Sequence, residues 1–242
     1  MTLGRSAETL ITMWSDLIDL VMPRECAVCQ IPGRVLCAAC AGKLSRSSPV
    51  SLPSVLTAAG APAIPVSCAG YLNAELATVV RAWKDDGLRS LNLPLARLLA
   101  AAVMRVVHVS DAGPGQQTQR LRSDPVTLVA VPASDRARWN RGENIVERLA
   151  AAAAVQLRRD GFSAHERPVL AMARQVRDQR GLGAADRKLN LAGAIRLRER
   201  LPGPVVVVDD VITTGATMTE AVRCLVDGGT TVLGVAAVAQ AG

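Results

Sequence analysis

The stretch PVVVVDDVITTGATMTE, residues 204–220, sets two adjacent carboxylates, Asp209 and Asp210, between a run of valines and a turn made of Thr213, Thr214, Gly215, Ala216 and Thr217. A valine run of this kind fits a strand buried on both faces, so the aspartates should emerge at its carboxyl end. Small residues in the turn let successive backbone N–H groups point inward as an anion nest, and threonine hydroxyls add donors. Thr217 and Glu220 have the spacing of a capping box, which predicts a following helix whose positive end faces the same anion. Two carboxylates beside an anion cradle make sense if the ligand also carries hydroxyl donors and divalent cations, as a sugar phosphate does. The Walker pattern G-x-x-x-x-G-K-[ST] is absent, and GLGAAD at Gly181 is a near miss for G-x-G-x-x-G that follows no strand, so both nucleotide loops are disfavoured.

A second stretch, CAVCQIPGRVLCAAC, places Cys26, Cys29, Cys37 and Cys40 as two C-x-x-C turns. Each turn lets two thiolates converge on one ion, and two turns complete a four-sulfur shell, which predicts a structural zinc; thiolate-bound iron or a redox pair is the competing reading. Four protein ligands leave no open position for water, so such a metal serves folding rather than catalysis. Cys68 and Cys224 stand alone among apolar residues and are expected in the core.

The elements that must position these groups follow from periodicity. Residues 8–21 carry Leu10, Trp14, Leu17, Ile18 and Val21 at helical spacing and lead toward the cysteines. Residues 45–65, rich in Ser, Pro and Ala, read as a linker or wrapping segment. Beyond them, SCAGYLN reads as a strand, ELATVVRAWKDDG as a helix ended by Gly87, and residues 92–109 as a second helix. The strands VTLVAVP, RPVLAMA, GAIRL, PVVVV and TVLGVAAVA then alternate with the helices RGENIVERLAAAAAVQLRRDG and TMTEAVRCLVDGG. This order predicts an α/β fold, a mostly parallel sheet flanked by helices, with a small N-terminal zinc-binding module. The expected division is 1–45 for the N-terminal helix and knuckle, 46–66 for the linker and 67–242 for the main domain. Ligands in such folds sit at the carboxyl ends of the strands.

Composition adds bounds. Half of the 242 residues are hydrophobic, enough to bury a full core, and the formal net charge is +7. Of the 28 basic residues 25 are arginine, a bias suited to bidentate phosphate or carboxylate recognition, although drift toward Arg and Ala would give the same ratio. The start of the chain has no signal-peptide pattern and apolar runs are broken by charge, so the expectation is a cytoplasmic protein without a membrane partner. His108 and His165 lie outside the motifs and are read as surface or packing residues, leaving no recognisable general base.

The segment VVVVDDVITTGATMTE resembles the 5-phosphoribosyl 1-pyrophosphate (PRPP) loop of type I phosphoribosyltransferases, and with the upstream cysteines the chain looks like the ComF family from Cys26 to about Ala239. VAVPASDRARWNRGEN and RQVRDQRGLGAADRKLNLAGAI are similar to two further family segments; Glu143 departs where an aromatic residue or His is usual, and Gln30 where Gly often follows the first knuckle. The resemblance implies that Asp209 and Asp210 bind the ribose hydroxyls, that Thr213, Thr214, Gly215, Ala216 and Thr217 hold the 5-phosphate, and that Mg²⁺ bridges pyrophosphate and ribose. It implies a pyrophosphate loop at Pro132, Ala133 and Ser134, and a mobile hood over residues 174–190 with Arg174 and Arg187 as lid contacts. The activity implied is transfer of the phosphoribosyl group from PRPP to an unidentified acceptor. The alternative is a non-catalytic PRPP-binding protein, or one handling single-stranded DNA during competence.

Overall fold

The computed structural model describes residues 25–46, 49–52, 64–110, 125–133, 144–174 and 190–241. The predicted helix over residues 8–21, and Ser134, Glu143 and Arg187, lie outside them.

The described helices are α1 (Ala38–Ser45), α2 (Ala74–Lys84), α3 (Asn92–Ser110), α4 (Ile145–Arg159) and α5 (Ala216–Asp227). The strands are β1 (Val50–Leu52), β2 (Val66–Tyr71), β3 (Val126–Ala130), β4 (Ala164–Glu166), β5 (Leu170–Met172), β6 (Ile195–Leu197), β7 (Val205–Ile212) and β8 (Val232–Gln240). Six strands form one sheet in the order β1-β2-β8-β7-β3-β4, parallel throughout except that β1 runs antiparallel to β2. β1 lies inside the segment read as linker or wrapping, and it wraps as an edge strand. β5 and β6 leave this sheet to form a separate antiparallel pair, which the reading of consecutive parallel strands did not anticipate. The short edge strand β4 was not predicted either; three residues are too few to show a period.

Chain direction fixes which helix covers which face. The crossovers from β2 to β3 and from β3 to β4 move one way across the sheet, while the crossover from β7 to β8 moves the other. With right-handed crossovers, α3 and α4 therefore cover one face and α5 the opposite one. The contacts agree: α3 packs on α4, β2 and β8, α4 on β3 and β4, and α5 on β7, β8 and β6. Val205, Val206, Val207 and Val208 are completely buried between these layers. The helical segment Arg89–Val109 is long and apolar enough by composition to cross a membrane, but half of it is buried inside this α/β fold. Cys68 and Cys224 are buried in the core as expected.

Candidate functional site

Because α4 follows β3 on one face and α5 follows β7 on the other, the neighbouring strands β3 and β7 open a crevice at their carboxyl ends, the switch point where α/β folds bind ligands. The Val131 N–H donates to the Val208 carbonyl at 3.0 Å, so Pro132 and Ala133 are brought beside Asp209 and Asp210. The Asn144 side chain donates to the Val131 carbonyl at 3.1 Å and accepts from the Val146 N–H at 3.1 Å, tying the start of α4 to the same rim.

The two aspartates are not equivalent. Asp210 is buried; its Oδ2 meets Lys84 Nζ at 2.6 Å and its Oδ1 accepts from the Val211 N–H at 3.0 Å. Burial alone would raise this carboxyl, but the Lys84 ammonium outweighs it and holds Asp210 ionised, below the usual carboxylate range. Asp209 Oδ1 accepts from the Asp210 N–H at 2.8 Å. Burial, reinforced by the charge on Asp210, holds Asp209 well above the usual range. One aspartate is thus already a fixed anion, and the other takes its charge readily only when a ligand brings donors or cations. Lys84 was not singled out by the sequence reading. It closes α2 and reaches a carboxylate 126 positions away; its one sequence signal is that it is one of three lysines in an arginine-rich chain.

Past the aspartates, Thr213 and Thr214 are exposed, Gly215 and Thr217 half-buried and Ala216 buried. Gly215 takes the left-handed conformation, φ 72°, which turns the chain from β7 into α5. The predicted capping box does not form. The N-cap is Gly215, two residues earlier than the box would place it at Thr217, and as a glycine it has no side chain to cap with. Glu220 is buried and bound in bidentate fashion by Arg223 at 2.7 and 2.8 Å. The physical reason is that the glycine turn starts the helix two residues early, which makes Met218 the N3 residue and leaves Glu220 two positions past it. Of the first-turn N–H groups of α5, that of Ala216 is accepted by Thr214 Oγ1 at 3.4 Å, and the N-cap Gly215 offers no side chain to the others.

Arg174 is placed away from this acidic pair's hydrogen bonds. Its guanidinium donates to the carbonyls of Asn190 and Ala192, both at 3.0 Å, and so clasps the two ends of the segment predicted as a hood. Residues 175–189 themselves lie outside the description. His108 bonds to the Met104 carbonyl at 2.7 Å and His165 to Thr127 Oγ1 at 3.0 Å, packing roles as expected.

The cysteines form a second centre. The Sγ atoms of Cys26, Cys29, Cys37 and Cys40 all lie within 4.8 Å of one another, and Cys29 and Cys37 are 3.6 Å apart. A tetrahedral four-thiolate zinc requires sulfurs about 3.8 Å apart, from a Zn–S distance near 2.3 Å, so the donor set fits a metal ion such as zinc. Backbone N–H groups of Cys37 and Cys40 point at Cys26 Sγ and Cys37 Sγ at 3.4 and 3.5 Å, orienting the ligands. Burial raises the Cys26 thiol, but amide donors outweigh it and bring it down to about 6, whereas burial and the neighbouring sulfurs push Cys40 up to about 12. Without a cation, four sulfurs this close cannot all ionise. Gln30, which departs from the usual Gly, is the one described non-glycine residue with positive φ, 62°. Val35 and Leu44 of this module join the main hydrophobic core, so the module is docked on the domain.

With both centres described, comparison with known proteins becomes informative. No model of a known protein family matches the chain. It is 29% identical over 230 residues to the DNA utilization protein YhgH of Salmonella typhi and of Salmonella typhimurium, covering 87% of this chain and 94% of each relative. It is 31% identical over 160 residues to competence protein F of Haemophilus influenzae, covering 64% of each chain. The relatives it resembles at about 30% identity are thus named as DNA utilization and competence proteins. Among solved structures, the orotate phosphoribosyltransferase of Aeropyrum pernix aligns over 75% of this chain and 71% of its own, at 17% identity and a TM-score of 0.31. The fold of this chain is accordingly read from its own strand order and switch point, and its four-cysteine cluster from its own sulfur geometry.

Proposed function

We propose that this chain binds PRPP with Mg²⁺ at the β3/β7 switch point and transfers the phosphoribosyl group to an acceptor. The observation that carries this reading is the juxtaposition of an acidic pair, a helix N-terminus whose N-cap is the glycine of a tight turn, and the Pro132-Ala133 turn along one crevice. Asp209 and Asp210 accept the ribose hydroxyls, and the backbone from Thr213 to Thr217 takes the 5-phosphate. Pro132, Ala133 and Ser134 face the pyrophosphate, and Arg174 and Arg187 belong to the lid. Asp209 and Asp210 would flank Mg²⁺ brought in with the ligand, whose charge would offset that of the departing pyrophosphate. The protein's own part is to fix the ribose, exclude water and present positive ends to developing negative charge. The names of its relatives, DNA utilization and competence proteins, support a second reading in which the cradle is retained without turnover or the chain handles single-stranded DNA.

Calorimetry with PRPP and Mg²⁺ tests the first reading. Saturable binding is expected, and changing Asp209→Asn together with Asp210→Asn should weaken it by about a hundredfold or more through lost charge-assisted bonds. Unchanged affinity in the double variant would overturn the assignment. Release of pyrophosphate only when an acceptor is added separates transfer from binding alone.

A further inference from the structure

The groups named so far account for ribose and phosphates and leave the acceptor without a partner. At the carboxyl edge of the sheet Ile212 pairs with Gln240, and Gln240 with Tyr71, so these three side chains share the sheet face that carries Asp210. Tyr71 ends β2 after five buried residues and is itself 61% exposed. Its backbone is fixed on the far side: the Leu72 N–H donates to the Gln240 carbonyl at 2.7 Å, and the Asn73 side chain caps α2. A large ring is therefore held in solvent on a rigid support. Beside it, Gln240 Nε2 donates to the Ala241 carbonyl at 2.7 Å, while Oε1 is buried with no hydrogen-bond partner among the described residues. A buried acceptor in that state is stabilised by any donor that reaches it.

Position gives this pair a role. Pro132 and Ala133, where the pyrophosphate is placed, follow β3 on one side of β7; Gln240 and Tyr71 belong to β8 and β2 on the other. Displacement at the anomeric carbon needs the incoming and leaving groups on opposite sides. Two strand spacings put Tyr71 about 10 Å from Ile212, leaving room for a flat molecule between the ring and a ribose held on the aspartates.

We propose that Tyr71 is the platform on which a planar, nitrogen-bearing heteroaromatic acceptor stacks, with one of its N–H groups directed to Gln240 Oε1. This rests on the phosphoribosyltransferase reading above. In the transfer, a bond forms between a ring nitrogen and the anomeric carbon as the bond from that carbon to the pyrophosphate oxygen breaks. Pyrophosphate leaves with the electron pair and takes up the proton the ring nitrogen loses. Tyr71 and Gln240 hold the ring and exchange no proton.

The chain has one tyrosine, so uniform incorporation of 3-fluorotyrosine places a single fluorine reporter at Tyr71. In protein saturated with PRPP and Mg²⁺, at least one of adenine, uracil and hypoxanthine is expected to shift that resonance saturably, and cyclohexylamine to leave it in place. Tyr71→Leu should weaken the heterocycle by about tenfold or more and Tyr71→Phe by less than about threefold. A resonance indifferent to all three heterocycles, or a Tyr71→Leu chain that binds them as the unaltered protein does, overturns the platform and leaves PRPP binding standing. Failure of the unaltered chain to bind PRPP overturns the transferase reading and the platform with it.

Discussion

In the four-cysteine knuckle, like charges are brought together by residues within one short stretch, and their mutual repulsion is left for a cation to relieve. In the cradle, two adjacent carboxylates are also crowded, but one is paired with Lys84, delivered from a helix 126 positions earlier, and the other has its titration pushed well upward by burial and by its charged neighbour. The difference teaches where each site's integrity resides. The knuckle rests on a local turn and on four sulfurs close enough to hold a metal ion; the cradle depends on the finished sheet, which alone sets α2 against the end of β7.

The largest effect should come from breaking the knuckle. Cys37→Ser is expected to abolish stoichiometric metal, measured by elemental analysis, and to unfold the module, since four-ligand zinc sites contribute roughly 10–16 kcal/mol to folding in small peptides. Because Val35 and Leu44 sit in the main core, the domain's urea midpoint should fall too, while PRPP affinity of the molecules still folded stays near that of the parent. Equal loss at both centres would dissolve the comparison.

Next in size, Lys84→Met should destabilise the domain by about 2 kcal/mol in urea titration. That is less than the 3–5 expected of a fully buried pair, because the lysine side chain is 37% exposed. A variant as stable as the parent would show that the pair does not organise the cradle. Gly215→Ala, forcing a side chain into φ 72°, should cost about 1–2 kcal/mol and weaken phosphate binding together with stability. The converse change in the knuckle, Gln30→Gly, should stabilise by about 0.5–1 kcal/mol, measured in the metal-loaded protein.

The smallest effect is a pH dependence that sharpens the contrast between the aspartates. Asp210 is depressed below 3.8, so its contribution is present above that pH and is lost as pH falls through 3.8 toward the folded value. Asp209 is raised, so it opposes folding at neutral pH and this penalty fades as pH falls below its folded value. Lys84→Met should flatten the acid limb of the stability profile, and Asp209→Asn should remove the part of the PRPP affinity that rises with pH above the ordinary carboxylate range. Profiles unchanged in both variants would contradict the assigned asymmetry.

Much of this was legible in the sequence where chemistry is written in short spacing. The cysteine pairs, the valine strand ending in two aspartates, and the glycine turn all sit where their local pattern places them. Other features were hidden because they are not local. Lys84 looks like any basic residue at a helix end, β4 is a three-residue strand without a readable period, β5 and β6 read as strands but give no sign that they pair with each other, and Tyr71 is singled out only by its pairing with Gln240 of β8. The capping box misled for a different reason: its spacing was present, but Gly215 started the helix first and Arg223 took the glutamate.

The strand order carries one more consequence, for the time course of folding. β1 and β2 can join β7 only through β8, which is the last strand in sequence and lies between them. During synthesis β1 and β2 must wait for β8 before they can join the half made of β7, β3 and β4, so the sheet is completed late. A slow, non-local closure of that kind predicts a folding rate governed by the pairing of β8. Chaperone dependence, if measured on nascent chains of increasing length, should end when residue 240 clears the ribosome and at no earlier length.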